Sequence, residues 1–488
     1  MILSMRNVAA ASVLLTSSAF GQVALDRFER QLEQIQRETR LRVDTEVPVD
    51  QRVLVDYGGY LSLSFLALDD PSGETHILRQ YDLNGYARVS LDGVHEFFVR
   101  ARTTYRDFNS GDDFDGRGDD LVEPTLDRAT YRFDLRRYRA AYEGEVSEFD
   151  FVFSGGRQLV HWANGITMSS DIDGGVFTFG MDPVSLEVIV GRTRDSSVDI
   201  DSSRPGFDKE TDRMFYGVML SCQASPKHTP FIYALMQDDN NDDVTLSLNV
   251  NGTDVDTRYR YDTFYLGAGS RGSLADNILY GVELVYQGGR GLSSSFTFDN
   301  GLVTEVAQTK EDIHAAALDI QIDYLLNDAN RTRLTFEALL ASGDTDRLHT
   351  TNTFGGNASG SNDTAFNAFG LVNTGLAFGT NASNLLMFRA GASTFPLPSN
   401  TTFSRLQVGT NVYSFNKLNR NAAIDEDTSD RSHLGFEVDF FVNWQITSDI
   451  SWAMRYGVFV PGPAIGGEIT SNDGNARHFF YSGVTFAF

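Results

Sequence analysis

Arginine side chains recur at alternate positions in several stretches of this chain, the spacing that places them on one face of a β-strand. Arg100 and Arg102 flank Ala101, for example. The guanidinium group is a planar, permanently charged fork that binds carboxylate, sulfate or phosphate oxygens. A row of such forks along a sheet could therefore bind or pass an anion. The arginines predicted to share this face are Arg88, Arg100, Arg102, Arg106, Arg128, Arg132 and Arg136, with Arg258 and Arg260 further along.

Acidic residues dominate the same kind of position in the second half of the chain. These are Glu283, Asp319, Asp323, Glu337, Glu437 and Asp439, interrupted by Arg333, Arg389 and Arg455. If all of these side chains face a common space, one wall of that space is basic and the other acidic. Two interpretations stay open: the arginines bind anionic groups of a solute, or arginine and acid pair across the space and brace it.

Enzymatic motifs are missing from the sequence. His161, His314 and His433 are scattered, without the spacing of an H-E-x-x-H metal site, and no G-x-S-x-G nucleophile turn occurs. Cys222 is the only cysteine, which excludes an intrachain disulfide. We therefore expect a protein that is not an enzyme.

A net charge of −26 disfavours nucleic acid as a partner. Much of the acid lies in three clusters outside the alternating stretches. They comprise Asp112, Asp113, Asp115, Asp119 and Asp120; Asp238, Asp239, Asp242 and Asp243; and Asp425, Glu426, Asp427 and Asp430. We interpret them first as solvated loops that repel neighbours, and alternatively as oxygen-rich sites for Ca²⁺. No other metal or cofactor is expected.

The chain begins with a predicted signal peptide at residues 1–21, built from Arg6, an apolar stretch and small residues before the cleavage position. Residues 22–48 form a second segment, which we predict to be an amphipathic helix and linker. Its apolar positions follow the 3-4-3 spacing of a heptad: Leu25, Phe28, Leu32 and Ile35. This helix either drives oligomerisation or tethers the protein to the cell wall, or it lies on the mouth of the following domain.

From residue 49 to 488 the period of the apolar residues changes to two. Val53, Val55 and Tyr57 alternate with polar or small residues, and similar stretches of about 10 residues recur. Strands of that length with this alternation are typical of barrels that span an outer membrane, whereas strands of soluble sandwiches average about 5–6 residues. Many glycines (44) beside few prolines (11) agree with numerous strands and turns.

Short turns and longer polar loops alternate along this region. The turns are predicted at residues 91–93, 143–145, 181–183, 225–227, 272–273, 327–330, 381–383 and 447–449, and the later loops at 342–367, 396–431 and 460–476. Eight turns and nine loops predict an all-β, transmembrane, antiparallel up-and-down barrel of about 18 strands. Both of its ends would lie in the periplasm, since tight turns are periplasmic in such barrels.

The last strand ends in Phe488, on the same face as Phe480, Val484 and Phe486. An aromatic C-terminus on such a strand is similar to the signal that the outer-membrane assembly machinery recognises. We therefore expect that machinery, together with outer-membrane lipid, among the partners of this chain.

Three stretches resemble the alginate-export family of outer-membrane porins, in order and spacing over most of residues 50–488. They are the segment Gly156-Arg157-Gln158, the segment Leu340-Ala341-Ser342-Gly343-Asp344, and the segment Leu434-Gly435-Phe436-Glu437-Val438-Asp439. The resemblance implies an eighteen-stranded barrel whose arginine-lined pore carries an acidic polysaccharide outward. It also implies that Arg157 and Gln158 contribute to the constriction.

The sequence thus predicts a porin in the outer membrane of a Gram-negative-type bacterium, for small anionic solutes or acidic oligo- and polysaccharides. A lumen with two signs of charge departs from a uniformly basic alginate conduit. The alternative is a structural anchor, in which the N-terminal helix links the barrel to the cell wall or to sister subunits.

Overall fold

A computed structural model of the chain describes residues 53–113, 118–145, 147–194, 197–299, 302–465 and 474–488. The predicted signal peptide and the predicted heptad helix with Leu25, Phe28, Leu32 and Ile35 lie outside the described residues. Both stay predictions.

The described residues form twenty-two strands, of which eighteen close into one antiparallel barrel. The strands are β1 (Val53–Asp69), β2 (Thr75–Leu91), β3 (His95–Phe108), β4 (Asp120–Asp134), β5 (Phe149–His161), β6 (Ser169–Met181), β7 (Val184–Thr193), β8 (Arg213–Cys222), β9 (His228–Asp239), β10 (Thr245–Val250), β11 (Thr253–Arg258), β12 (Tyr261–Ala275), β13 (Ile278–Leu292), β14 (Phe296–Asp299), β15 (Leu302–Glu305), β16 (Lys310–Leu325), β17 (Arg333–Ala341), β18 (Leu385–Thr394), β19 (Leu406–Lys417), β20 (His433–Gln445), β21 (Ile450–Pro461) and β22 (Arg477–Ala487).

Each barrel strand pairs with its neighbours along the chain, and β1 closes the cylinder against β22, with Leu61 opposite Phe486. Two hairpins, β10–β11 and β14–β15, stand apart from the barrel sheet. A four-residue helix, α1 (Leu135–Tyr138), follows β4, and the Asp134 side chain caps it by accepting a hydrogen bond from the Arg137 amide at 3.0 Å. Among the described residues, no helix has the length and the apolar character that crossing a membrane requires.

Side-chain alternation explains the barrel strands. In β1, Val53, Val55 and Tyr57 are 58%, 57% and 79% exposed, whereas Ser62 on the opposite face is 2% exposed. Large apolar side chains therefore face outward, where lipid covers them, and small or polar ones face the lumen. This is the pattern of a transmembrane barrel, and it confirms the predicted fold class.

The eighteen barrel strands are joined by nine connections at one end of the barrel and eight at the other. The lengths overlap more than we predicted, because the connection 70–74 at the first end is shorter than the connection 135–148 at the second. We call the first end the loop end and the second the turn end. The turn end corresponds to the periplasmic side of such barrels.

Two predicted turns are wrong. Residues 272–273 lie within β12, and the chain reverses just after Ala275. Gly272 is needed there for close packing, since a Cβ atom would approach the Lys227 carbonyl oxygen to 1.9 Å. The predicted turn at 381–383 lies instead near the end of a long loop, 342–384.

The predicted loop 396–431 is also wrong in its middle, because it contains β19. Asn411, Ser414 and Asn416 make that strand polar enough to be read as a loop. Conversely, the stretch between the predicted loop 342–367 and the predicted turn 381–383 should be a strand in that pattern, yet it belongs to loop 342–384. These two errors cancel, which is why the predicted strand number still agrees.

Loop 342–384 and the shorter loop 162–168 account for the apolar core. Trp162, Phe366 and Phe369 are 1%, 1% and 3% exposed, and they pack against inward-facing aromatic residues of the barrel such as Tyr265. Phe378 stacks on Phe459 of β21, with ring centroids 4.3 Å apart. The loop-end half of the lumen is therefore packed with protein.

Candidate functional site

The predicted arginines on β2, β3 and β4 face the lumen. Phe97 and Val99 on the outer face of β3 are 47% and 45% exposed, whereas Arg100, the residue after Val99, faces inward and is 8% exposed. The strand pairing places the remaining members on the same inner face, and they are Arg88, Arg102, Arg106, Arg128 and Arg132. We call this surface the arginine wall.

Arginines of this wall pair with carboxylates on the same side of the barrel, and not across the lumen. Four of the pairs are Arg88–Asp56 (2.9 Å), Arg102–Asp82 (2.8 Å), Arg132–Asp134 (3.5 Å) and Arg128–Asp171 (4.0 Å). In the fifth pair, the Nε atom of Arg100 donates to a carboxylate oxygen of Asp127 at 2.7 Å. These five arginines therefore do not brace the barrel by pairing with acids across the lumen.

Exposure within these pairs is uneven. The Arg102 side chain is 30% exposed while that of Asp82 is 1% exposed, and the Arg132 side chain is 40% exposed against 11% for Asp134. Asp82 is held below the surface by further hydrogen bonds from the Gln80 amide (2.9 Å) and the Thr104 hydroxyl (2.7 Å). In these two pairs the acid lies beneath and the guanidinium meets the water of the lumen, whereas the other three pairs are evenly exposed.

Two of the predicted acidic residues, Glu283 on β13 and Asp319 on β16, also face inward, but they bind loop 162–168. Glu283 accepts hydrogen bonds from the Asn164 amide nitrogen at 2.7 Å and from the Tyr233 hydroxyl at 2.5 Å. Asp319 accepts a hydrogen bond from the Asn164 side chain at 2.8 Å. Both acids are fully buried. These carboxylates therefore position a loop inside the barrel.

Glu437 on β20 performs the same task for loop 342–384. Its carboxylate accepts hydrogen bonds from the backbone amides of Leu376 (2.6 Å), Ala377 (2.7 Å) and Phe378 (2.9 Å). Gly375 precedes this turn with φ +92°, and a Cβ atom there would lie 2.5 Å from the carboxylate. A glycine is thus required for the loop to approach so closely. The neighbouring Asp439 is 2% exposed on the same inner face.

We call the inward surface that carries Glu283, Asp319, Asp323, Glu337, Glu437 and Asp439 the acidic wall. Three arginines interrupt it. Arg333 pairs with Asp323 at 2.6 Å, and Arg389 pairs with Glu337. Arg455 donates to the backbone carbonyl of Met454 at 2.9 Å. A cavity of about 540 Å³ lies between this wall and loop 342–384, and its lining includes Asn164, Asn373, Arg389, Asn411, Asp439 and Arg455.

Three predicted arginines do not lie where we expected. Arg136 belongs to α1, is 55% exposed and lies 3.7 Å from Asp150. Arg258 and Arg260 lie at the loop end and are exposed, because Tyr259 and Tyr261 take the inward positions and are 5% and 4% exposed. Burying the two aromatic rings under the loops removes apolar area from water and leaves the guanidiniums solvated, so the predicted alternation is reversed.

The two residues of the first resemblance segment lie on opposite faces. Arg157 shares its face with Phe153 and Phe177, because β5 and β6 pair without interruption, and its guanidinium pairs with Asp173 at 2.7 Å. Because this register is continuous, Arg157 lies on the outer face and not in the lumen, so its predicted place in the constriction is wrong. Gln158 lies on the inner face and accepts a hydrogen bond from the Ser154 hydroxyl at 2.6 Å.

The role of the acids as loop anchors was missed by the sequence analysis. A signal was present in the run 365–378, which contains Ala365, Phe366, Phe369 and Phe378 and is too apolar for a solvated loop. The apolar side chains of such a run must be buried away from water, and the interior of the barrel buries them. Which acid binds the run depends on tertiary structure and has no local signature.

The acidic loop clusters are largely engaged with protein donors. Asp112 accepts a hydrogen bond from the Ile77 amide at 2.7 Å and contacts the His76 ring at 2.8 Å. Asp239 pairs with Arg204 at 3.2 Å. Asp70, Glu74 and His76 have ligand atoms close enough together to hold one ion.

A closed barrel with an apolar outer face, charged inner walls and two loops folded inward defines an outer-membrane porin. The sequence profile of the Alginate export family matches residues 79–479, and the chain belongs to that family. It is a channel for the passive passage of solutes in the outer membrane of a Gram-negative bacterium, and not an enzyme. Its outer face contacts lipid. Its family typically uses no cofactor.

Solved structures from Pseudomonas aeruginosa share the fold. OccK2 (OpdF) matches with TM-score 0.51 and 10% identity, over 89% of this chain and 97% of that chain. OccK11 (OpdR) matches with TM-score 0.50 and 11% identity, over 89% and 96%, and OccK8 (OprE) with TM-score 0.50 and 11% identity, over 89% and 98%. At these identities the likeness concerns the fold. No curated protein matches the chain.

Proposed function

We propose that this channel passes anionic solutes, from small organic anions to acidic oligo- and polysaccharides, along the arginine wall. The observation that carries the proposal is the layered arrangement of its ion pairs. Arg102 and Arg132 meet the lumen at 30% and 40% exposure, while Asp82 and Asp134 lie beneath them at 1% and 11%. A passing anion therefore meets guanidinium forks before it meets carboxylates.

The opposite wall supports the same path. Glu283, Asp319 and Glu437 are completely buried and bound to loop residues. The loop residues that donate hydrogen bonds to these carboxylates also cover them and keep them out of contact with a solute. The water-filled route then borders the arginines, although the acidic residues of the lumen are numerous.

Ion selectivity in planar bilayers tests this proposal. The reversal potential of the purified channel is measured in a KCl gradient, and we expect preference for chloride. The variant Arg102→Gln with Arg132→Gln should lose most of that preference. Arg290→Gln is the matched control, because Arg290 pairs with Asp312 in an exposed position, 68% exposed. A wild-type channel that prefers potassium would overturn the proposal.

Further partners are proposed from the two ends of the chain. Phe488 is 75% exposed, and its backbone pairs with Gly59 of β1 at 2.9 Å, so the exposed ring marks the closing seam of the barrel. This supports recognition of Phe488 by the assembly machinery. The variant Phe488→Ala should weaken that recognition, measured as the amount of folded barrel in the outer membrane.

Self-association or anchoring through the N-terminal segment stays a prediction that concerns Leu25, Phe28, Leu32 and Ile35. Deleting residues 24–44 and measuring oligomers on native gels tests it.

Calcium at the acidic loops is a separate proposal, and the described contacts limit it. Asp112 and Asp239 already bind protein donors, which compete with an ion for the same oxygens. Asp70, Glu74 and His76 also have ligand atoms close together. Asp70 already accepts hydrogen bonds from the Ser72 hydroxyl and the Glu74 amide, and Ca²⁺ prefers oxygen ligands to a histidine nitrogen. Thermal unfolding with and without EDTA tests it, and an unchanged midpoint would remove it.

A further inference from the structure

The outer face of β5, β6 and β7 changes from apolar to charged near the loop end. Counted from the turn end, the first four rows of opposed outward residues are apolar. They are Phe149–Met181–Val184, Phe151–Phe179–Leu186, Phe153–Phe177–Val188 and Gly155–Gly175–Val190. The fifth row is Arg157–Asp173–Arg192. This charged row therefore lies at the loop-end border of the apolar band.

The height of this row corresponds to the headgroups of the outer leaflet. Eight residues separate Phe149 from Arg157, about 26 Å along a strand that rises about 3.3 Å per residue. The apolar band of such barrels is about 25 Å tall, and its strands are tilted by about 35–45°. The Arg157 guanidinium extends further towards the loop end, because it donates to the carbonyl of Leu126 at 2.7 Å, beyond its partner Ala129 on β4.

Positive charge is in excess at this border. Asp173 pairs with Arg157 at 2.7 Å. Arg192 and Arg194 also act electrostatically on Asp173, yet neither of them forms an ion pair with a carboxylate in the part of the chain that the structure describes. Arg192 is exposed and Arg194 is half-buried. Three guanidinium groups thus share one carboxylate.

Other carboxylates limit this patch at its sides. Asp171 of β6 lies 4.0 Å from Arg128. Asp212 precedes β8, and Asp238 of β9 lies beyond that strand, opposite Met214. The excess of positive charge is therefore confined to β5, β6 and the end of β7.

Outward arginines elsewhere on the rim at the loop end each have a carboxylate of their own. The pairs are Arg79–Asp107 (3.7 Å), Arg260–Asp262 (2.8 Å) and Arg290–Asp312 (2.9 Å). Such pairs have little net charge, so they do not attract an anion as the patch on β5–β7 does.

A phosphate group on a lipid headgroup matches this patch. Its oxygens fit the planar forks of several arginines. The lipid in the outer leaflet of a Gram-negative outer membrane carries phosphates on a sugar headgroup, with acyl chains below. Beneath the charged row the rings of Phe153 and Phe177 lie beside Gly155 and Gly175, with centroids 4.9 Å apart. They offer an apolar surface to those chains.

We propose that Arg157, Arg192 and Arg194 bind a phosphate group of a lipid in the outer leaflet. The inference goes beyond the proposed function, because the site lies on the outer face of the barrel and a solute in the lumen does not reach it. It also gives a role to Arg157, which the resemblance had placed in the constriction.

Native mass spectrometry of the full-length protein with diphosphoryl lipid A tests the site. The variant Arg192→Gln with Arg194→Gln leaves no carboxylate without its ion pair, and it should bind lipid A about tenfold more weakly, because charge-assisted hydrogen bonds to phosphate are lost. The matched control is Arg260→Gln with Arg290→Gln, which removes the same charge elsewhere on the rim and should bind as the wild type does. Equal binding by the wild type and the Arg192 and Arg194 variant would overturn the proposal.

Two further probes identify the source of the phosphate. Lipid A without its phosphates should bind the wild type weakly, and binding equal to that of diphosphoryl lipid A would overturn the proposal. Excess inorganic phosphate should leave lipid A bound, because the acyl chains add apolar contact. Displacement of the lipid would assign the patch to free phosphate and overturn the lipid as its occupant.

Ion selectivity separates this site from the proposed function. The variant Arg192→Gln with Arg194→Gln should keep the reversal potential of the wild type in a KCl gradient, whichever ion the wild type prefers. A changed reversal potential would contradict the position of these arginines outside the lumen. Heat-modifiable migration in gels confirms that each variant folds.

Discussion

The two walls of the lumen carry similar residue types and use them in opposite ways. On the arginine wall, Arg102 and Arg132 face water above their carboxylates. On the acidic wall, Glu283 and Glu437 face protein amides of loops that cover them. The difference teaches that an inward position does not define a role. Whether a loop lies over the side chain decides between contact with the water of the lumen and support of the structure.

The free-energy cost of burying a carboxylate explains why the acids beneath the loops accept so many hydrogen bonds. A buried carboxylate without partners is strongly unfavourable, and a loop entering the barrel brings unsatisfied amides of its own. Glu437 resolves both problems at once, because three backbone amides of residues 376–378 bind one carboxylate. The arginine wall has no such constraint where water solvates its guanidiniums.

The largest expected effect comes from breaking the acidic wall at Glu437. In Glu437→Ala three amides lose an acceptor, and hydrogen bonds to charged groups contribute about 1.5–3 kcal/mol each. The tip of loop 342–384 should leave its position, and single-channel conductance should rise severalfold with large fluctuations.

Two variants control for the loss of charge alone. Glu437→Gln keeps an acceptor oxygen and should have a smaller effect. Gly375→Ala keeps the carboxylate but places a methyl group 2.5 Å from it, at φ +92°, and should open the channel as Glu437→Ala does. Unchanged conductance in both Glu437→Ala and Gly375→Ala would show that the loop is held by other contacts.

The sequence predicted the barrel well because its signal is a period of two. Over most of β1 and β20, outward apolar residues alternate with inward polar or small ones, although Leu66 and Phe441 also face inward. That signal arises from the contrast between lipid and lumen, and it needs no knowledge of neighbours. The same period of two also predicted correctly which arginines of β2, β3 and β4 face the lumen.

The prediction of strands and of side-chain orientation failed where a loop inside the barrel buries the residues. Residues 365–378 are apolar like a strand because they pack inside the lumen, and Tyr261 points inward because loop 342–384 buries it. At such places the environment of a residue is set by a segment distant in sequence. Arg258 and Arg260 were therefore assigned to the wrong face.

The arginine wall can be broken at its most buried pair. Arg100 and Asp127 side chains are each 10% exposed, so Arg100→Ala leaves an uncompensated carboxylate, which typically costs about 3–5 kcal/mol. The barrel should unfold at a lower temperature or denaturant concentration. Arg290→Ala is the control, because its pair with Asp312 is 68% and 55% exposed and such surface pairs contribute about 0–1 kcal/mol. Equal destabilisation by both variants would contradict the distinction.

The smallest effect concerns the pH dependence of the covering loop. His349 in loop 342–384 is 8% exposed. Burial lowers the pKa of this imidazole, against the opposing charges of Asp427 and Asp425. The unfolded loop therefore binds a proton more readily than the packed loop, so stability is complete above the unfolded pKa of about 6.5 and decreases as the pH falls below it. The loss of stability from one group is at most about 1.4 kcal/mol per pH unit.

Conductance fluctuations should increase as the pH falls below about 6.5, and His349→Gln should remove that increase. Fluctuations in His349→Gln that still follow pH would assign the dependence to the surrounding carboxylates.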